Sequence, residues 1–388
     1  MKLMIIIAIL CLGGASSKES VIKGRNKPKN KIAKPKNLCS LEPSELNNIR
    51  CVCTREKFLR ASSAECWIFG PVTKEHFIWE LIVKTQPYLS DLNIVASNQG
   101  YLRDIPQEFV QNMLLLKNFT VSFAVLDRLE KFTFGNSTSL EVLKLSRNQI
   151  QHLDAYSISN LPSLRDINLE ENRIQTIKLV AFSNVPKLNY VRLNNNNITK
   201  IEDRAFSSMS HVLEMDLSEN YICDINNLTF FGLSKLKVID LSFNRITSLA
   251  SSVFSELWDI EELILDHNLI EFISNRAFDG LRFLKTIYLS NNRLSRFPAG
   301  LFTSVFTLFN LDISHNRLET LIFDSIEQLY NNLIHNGTLR LKAEVKPSSK
   351  NTQWGKHVIV LHDHMNVMPS SKHSLAVAAA ENKGVVIF

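Results

Sequence analysis

The chain has 388 residues, 45% of them hydrophobic and 21% charged, with a formal net charge of +6; this is a globular balance, not that of a disordered or collagenous chain. It carries only 12 Gly against 23 Phe, and its glycines form neither G-x-G-x-x-G nor G-x-x-x-x-G-K-[ST]. The phosphate-cradling loops of nucleotide-handling folds are therefore missing, and the length leaves two or three compact domains or one long repeat array.

Taken in chain order, Met1 and Lys2 open with a positive charge, residues 3–12 are an unbroken apolar run, and Gly13, Gly14, Ala15, Ser16 and Ser17 are small. That layout predicts a secretory signal peptide over 1–17, because ten apolar residues are too few to cross a hydrocarbon layer of about 30 Å. No later stretch reaches 18 apolar residues, so no transmembrane segment is expected. The apolar stretch at 375–380 is interrupted by Glu381 and Lys383 and is too short for a lipid-anchor tail. A secreted, soluble protein is the expectation.

Residues 18–37 hold Lys18, Lys23, Arg25, Lys27, Lys29, Lys31, Lys34 and Lys36 against Glu19 alone, with Pro28 and Pro35 and few apolar residues. Such a segment cannot bury a core and reads as a basic disordered arm. It is either a solvated spacer or a binder of sulfated glycans or acidic lipid surfaces; nucleic acid is not expected as the partner of an exported chain. Alternatively, the arm of one molecule lies in an acidic groove of another. Next, Cys39, Cys51, Cys53 and Cys66 cluster within a 38–91 cap region. In an oxidising compartment they read as two disulfides rather than a zinc site, with connectivity left open.

The dominant feature is a 24-residue period. Asn148, Asn172, Asn196, Asn220, Asn244, Asn268, Asn292 and Asn316 fall on one grid inside an L-x-x-L-x-L-x-x-N-x-L frame, as in Leu140, Leu143, Leu145, Asn148 and Ile150. Ten positions beyond Asn stand Phe182, Phe206, Phe230, Phe254, Phe278 and Phe302. This is the pattern of a leucine-rich repeat solenoid, an α/β repeat horseshoe in which each coil puts a short parallel strand on the concave face. Alternation places Leu inward and its neighbours outward. Asn is expected to satisfy buried backbone groups of its own turn and of the next repeat, and Phe to fill the far side of each coil. Looser copies at Leu116, Phe119, Val121, Ala124 and Leu126, and at Leu92, Val95, Gly100 and Leu102, bring the count to about ten repeats within 92–341. Leu339 and Leu341 are candidates for one last strand.

An apolar leader, a four-Cys cap and 24-residue repeats together resemble the extracellular leucine-rich repeat proteins of animals. Cys51-Val52-Cys53, Glu65-Cys66-Trp67, Phe77-Ile78-Trp79 and Phe323-Asp324-Ser325-Ile326 are similar to the insect cell-adhesion group that includes connectin. That resemblance implies a surface-attached adhesion molecule, homophilic in some members. Members usually end in a Cys-rich cap of the N-x-x-C-x-C kind, whereas no Cys follows Cys223 here. The 342–388 tail, with its apolar run at 358–361, is then an unorthodox cap or, the favoured reading, a truncated or alternatively spliced end.

In the repeat frame the third, fifth, seventh and eighth positions face outward. Across the five repeats beginning at 164 to 260 these include Asp166, Glu170, Glu171, Glu214, Asp216, Glu219, Asp240, Glu262 and Asp266, with Arg192 the only Lys or Arg and Tyr190, Phe243 and His267 interspersed. Such a run of charge is either an ordinary solvated face or, with its embedded aromatics, a partner-binding surface. Cys223 occupies a column otherwise filled by Gln151, Gln175, Thr199, Thr247, Glu271, Ser295 and Glu319, so it is expected to be exposed, either as an intermolecular thiol or as a free one. Sequons stand at Asn118, Asn136, Asn197, Asn227 and Asn336, which suits an exported chain; a glycan on Asn118 would block one end of the concave face. No nucleophile, zinc-protease or kinase motif is present, and His362-Asp363-His364 is an isolated H-x-H. The expectation is a non-enzyme without cofactor or metal: a protein-recognition molecule acting in adhesion, in soluble ligand binding or innate immunity, or in a glycan-held matrix.

Overall fold

The computed structural model describes residues 37–40, 48–55, 57–318 and 340–343. The expected leader, almost all of the basic arm, Leu339, Asn336, the 323–326 motif and the tail beyond 343, including His362-Asp363-His364, lie outside these residues.

One strand per coil builds a 13-stranded sheet. In chain order the strands are β1 (Ile49–Cys53), β2 (Ser63–Ile68), β3 (Asp91–Ala96), β4 (Asn118–Ser122), β5 (Val142–Lys144), β6 (Asp166–Asn168), β7 (Tyr190–Arg192), β8 (Glu214–Asp216), β9 (Val238–Asp240), β10 (Glu262–Ile264), β11 (Thr286–Tyr288), β12 (Asn310–Ile313) and β13 (Arg340–Ala343). Their spatial order equals their sequence order, and every pairing is parallel except β1 with β2. Between strands the chain returns through turns and a few two-residue strands, so each coil contacts its neighbours in sequence, as a solenoid must.

The register places residues 24 apart side by side: Ile167 pairs with Leu143 and Val191, and Ile239 with Met215 and Leu263. The inward members are fully buried, among them Leu143, Ile167, Leu193, Leu217, Ile239 and Leu265. Opposite them, Phe206, Phe230, Phe254, Phe278 and Phe302 form a buried spine, with rings of Phe254 and Phe278 nearly parallel at 6.2 Å and those of Phe278 and Phe302 at 6.0 Å.

Each buried Asn fastens two coils. In Asn244 the side-chain Nδ2 donates to the carbonyls of Leu241 (3.1 Å), Ser242 (3.2 Å) and, on the coil before, Leu217 (2.9 Å). Its Oδ1 accepts from the N–H of Ile222, also on the preceding coil, at 2.9 Å. The expected bond to the next repeat therefore runs to the previous one. The strand's polarity fixes this: the side chain leaves the strand end toward the coil whose turn has already been laid down. The same set recurs from Asn172 to Asn316.

The coil beginning near Leu89 departs from the reading of the sequence. Asp91 pairs with Asn118 and Leu92 with Phe119, so this coil is longer than 24 residues, and Leu92 is not the first frame position. Its inward residues are Leu92, Ile94 and Ala96, whereas Val95, expected inward, is half-buried on the outer face. The short helix α2 (Gln107–Asn112) takes up the added length.

At the N-terminal end, β1 runs antiparallel to β2 and covers what would otherwise be an open sheet edge. The two disulfides join Cys39 to Cys53 and Cys51 to Cys66; the latter two residues stand directly opposite each other in the β1–β2 ladder. Buried Gln86, at the end of helix α1 (Phe77–Thr85), accepts from the N–H of Ala61 at 3.0 Å and donates to Asn37 Oδ1 at 2.8 Å and to the Lys57 carbonyl at 3.1 Å. Ile78 and Trp79 of the 77–79 motif are buried, and the Trp79 indole N–H donates to the Thr73 carbonyl. At the other end Leu341 pairs with Leu311 and is buried.

Replacing Asn244 by Ala strips partners from one buried N–H and the facing carbonyls. We expect Asn244→Ala to lower unfolding free energy by about 3 kcal/mol, read as the shift of the chemical-denaturation midpoint; a shift near zero would refute the coil-fastening role.

Candidate functional site: the outer face of the sheet

Two outward rows run across the central strands. The third-position row is Asp166, Tyr190, Glu214, Val238, Glu262 and Thr286; the fifth is Asn168, Arg192, Asp216, Asp240, Ile264 and Tyr288. The register thus brings the sequence-selected residues onto one continuous face, and their chemistry divides them into groups.

Asp216, Asp240 and Asp266 are engaged by the fold. Asp216 Oδ1 accepts from the N–H and hydroxyl of Ser218 at 2.9 and 2.6 Å, and Asp240 Oδ1 from the N–H of Ser242 at 2.8 Å. Asp266 Oδ1 accepts from the N–H of Ser290, one coil on, at 2.6 Å. Asn168 does the same for Glu170 at 2.9 Å, so the role needs an oxygen acceptor and not a charge. Burial pushes the carboxyls of Asp240 and Asp266 above their ordinary range, and the neighbouring charge of Asp216 adds to the shift at Asp240.

Asp166 and Glu171 are ion-paired, to Arg192 at 2.7 Å and to Arg147 at 2.9 Å. Glu219 accepts from Asn195 at 3.3 Å. Among the described residues Glu170, Glu214 and Glu262 make no side-chain hydrogen bond or ion pair, so they are the acids open to a partner. On the same outer face Phe243 and His267 stack at 4.2 Å with planes 8° apart, and Phe243 is 53% exposed.

That stack belongs to a feature the sequence reading missed. Phe123, Arg147, Glu171, Asn195, Glu219, Phe243, His267, Asn291 and His315 all have φ between 51° and 59°, one per coil. A left-handed residue turns each chain out of its strand and aligns these side chains as a column. Signs of it stood in the sequence, since none of the nine is β-branched, the class this conformation disfavours most. Also missed was the second-position row beside the face: Glu261 bridges Lys237 at 2.9 Å and Lys285 at 2.6 Å, and these bonds hold its carboxyl down at about 2. The acidic face is therefore bordered by paired basic residues.

Cys223 is exposed and unbridged, and its thiol is pushed up by desolvation and by Asp224, whose carboxylate accepts from it at 3.4 Å. Of the sequons, Asn136, Asn197 and Asn227 are exposed. Asn118 is half-buried at the start of β4, and its amide donates to Asp91 on the neighbouring strand. A recess of about 310 Å³ opens elsewhere, between connecting segments lined by Lys74, Asp104, Arg128 and Lys131 among others. Among the described residues no cluster of three metal-ligating side chains occurs, and no helix is long and apolar enough to cross a membrane.

A sheet-faced solenoid of stacked coils, closed at one end by a disulfide-bonded cap, defines a repeat scaffold whose outer face extends over many coils. Leucine rich repeat profiles match residues 114–294 and 307–329, together more than half of the sequence, and the chain belongs to the leucine-rich repeat family. No curated protein matches the chain. Among solved structures it is similar to the TLR13 of a TLR13–ssRNA13 complex (24% identity, TM-score 0.60, 71% of this chain and 38% of that one). It is also similar to a chain of the Toll–Spatzle complex of Drosophila (17%, 0.60, 77% and 43%) and to the leucine-rich repeat domain of APL1B (20%, 0.51, 71% and 71%). The chain spans less than half the length of the first two.

Two outcomes follow from the site's geometry. The folded-state pKa of Asp240 is raised, so its contribution to stability is complete at acid pH and lost as pH rises through that value. Asp240→Asn, which keeps the oxygen acceptor, should then raise the melting temperature at neutral pH, with the gain vanishing below the ordinary carboxylate range. In the left-handed column, Glu219→Ile should cost about 1–2 kcal/mol, while Glu219→Gly should leave stability unchanged or higher; equal losses in thermal melts would contradict the conformational argument.

Proposed function

We propose that this chain is a secreted recognition protein that binds a protein partner across the outer face of its sheet, and that its role is cell adhesion. The observation that carries the reading is that the acids Glu170, Glu214 and Glu262, without a side-chain hydrogen bond or ion pair, share the outer face with the exposed Phe243–His267 stack. The three acids supply long-range attraction and orientation, and the aromatic pair supplies apolar area. Spread over several coils rather than sunk in a pocket, such a surface suits a macromolecule better than a small ligand.

Export is supported by the apolar leader pattern, the sequons and the disulfides of the cap. Adhesion is supported by the likeness of the cap and 77–79 motifs to the connectin-like group. Ligand binding in innate immunity is the second reading, favoured by similarity to the Toll–Spatzle complex, a molecular hub in Drosophila development and innate immunity. Attachment to sulfated glycans through residues 18–37 would add to either role, and heparin retention lost on deleting that segment would register it.

The test is binding of the purified, fluorescently labelled protein to cells in culture. The triple substitution Glu170→Lys, Glu214→Lys and Glu262→Lys should reduce binding at least about tenfold, with unchanged circular dichroism. Wild-type binding should weaken as salt rises, since exposed charges are screened beyond about 8 Å at physiological ionic strength. Cell binding indifferent to the triple substitution would remove the sheet face as the partner site.

A further inference from the structure

The residues that lead each chain into its strand form a second surface, at the opposite strand end from the asparagines. In the earlier coils this edge carries Pro162, Ser163, Pro186, Lys187, Ser210, His211, Ser234 and Lys235, with Arg165, Asn189 and Leu213 in the column of Phe309, so half-buried Leu213 is its single large apolar residue. In three successive later coils it carries Trp258, Phe283, Phe306 and Phe309, exposed by 59%, 54%, 56% and 39%. The core does not need them: Leu257, Ile260, Leu281, Leu284, Val305 and Leu308, one or two residues away, already fill the interior and are fully buried.

Bonds to the coil fix the backbone around these rings. Thr307 donates its hydroxyl to the carbonyls of Arg282 and Leu284 at 3.0 and 2.9 Å, which pins the Phe306 turn to the previous coil beside Phe283. The N–H of Phe309 donates to the Lys285 carbonyl at 3.0 Å. Trp258 gives its indole N–H to the Ser255 carbonyl at 2.8 Å, so the ring has no polar demand left and offers apolar surface. With about 200 Å² per aromatic and about half of it exposed, the patch covers roughly 400 Å², within the range of the largest apolar patches on soluble proteins, which are often functional.

We propose that this edge is a self-association surface, covered by the same edge of a second copy of the chain in a two-fold dimer. Charge selects the occupant. The Lys237–Glu261–Lys285 chain of ion pairs, with Asp259 and Arg282, surrounds the aromatics with both signs, so the edge can face itself. The acidic sheet face cannot, because unpaired carboxylates would meet their own kind. Glycans leave the edge open as well: no N-x-[ST] sequon lies between Asn227 and Asn336. A stable interface needs about 800 Å² per partner, so the patch supplies the apolar half and the charged rim the remainder. The sheet face stays free for a different ligand, and the dimer does not depend on what that ligand is.

Sedimentation of the purified full chain tests this. A reversible dimer is expected that persists or tightens at high salt, because its centre is apolar. Trp258→Glu and Phe306→Glu, both at exposed sites, should each raise the dimer dissociation constant at least about tenfold without altering the melting curve, and beads coated with either variant should no longer clump. Glu214→Lys with Glu262→Lys should leave the dimer intact. A wild-type monomer overturns the proposal, including one in which residues 344–388 cover the patch. So does a dimer that resists both aromatic substitutions or that dissolves in salt. Cell binding lost in the sheet-face variant while the dimer survives separates failure of one surface from failure of the other.

Discussion

The structure depends on a single side chain repeated once per coil. A solenoid turn leaves backbone N–H and C=O groups pointing into an interior without water, and each such group left unpaired is costly. Asn has both a donor pair and an acceptor on a short stem, so one residue can close its own turn and tie the turn before it. Eight copies, from Asn148 to Asn316, make the stacking of coils a hydrogen-bonded matter as well as an apolar one. Gln would overreach, and Asp would lack the donor that the Leu carbonyls require.

Once coils are fixed at a constant offset, every other position becomes a column, and columns acquire collective properties. Buried Phe residues become a stacked spine. Fifth-position aspartates become acceptors for the following turn, and at Asp240 burial, with the charge of Asp216 one strand away, pushes the carboxyl up. Left-handed eighth positions line up as a rail of contacting side chains, where Arg147 meets Glu171 and Phe243 meets His267. Engaged and open acids are therefore interleaved on one face: some carboxylates cap a turn and others cap nothing. Formal charge overstates what such a face offers a ligand, because paired and capping carboxylates are already occupied.

Separating surfaces of different composition by strand end follows from the same geometry. The outer sheet face, the edge where chains enter strands and the edge where they leave it are held rigidly with respect to one another, yet each has its own composition. Acids dominate the first, aromatics within a mixed-charge rim the second, and exposed Cys223 with the sequon at Asn197 lies beyond the third. A repeat scaffold can thus carry several surfaces without any of them disturbing the core.

The sequence by itself determined the coil. The 24-residue grid, the inward Leu set, the Asn column and the Phe column are local regularities, and a chain with that spacing has few other ways to bury its apolar residues. It also determined which residues reach the outer face, because strand alternation is a property of consecutive residues. Only the tertiary structure decided the pairing of the four cysteines, since spacing is compatible with more than one connectivity and the antiparallel β1–β2 register selects Cys51 with Cys66. It decided the register of the coil at Asp91, where a longer return segment moves the strand and turns Val95 outward. And it decided which acids are open: whether Asp240 or Glu214 is spent depends on what lies one coil or one turn away.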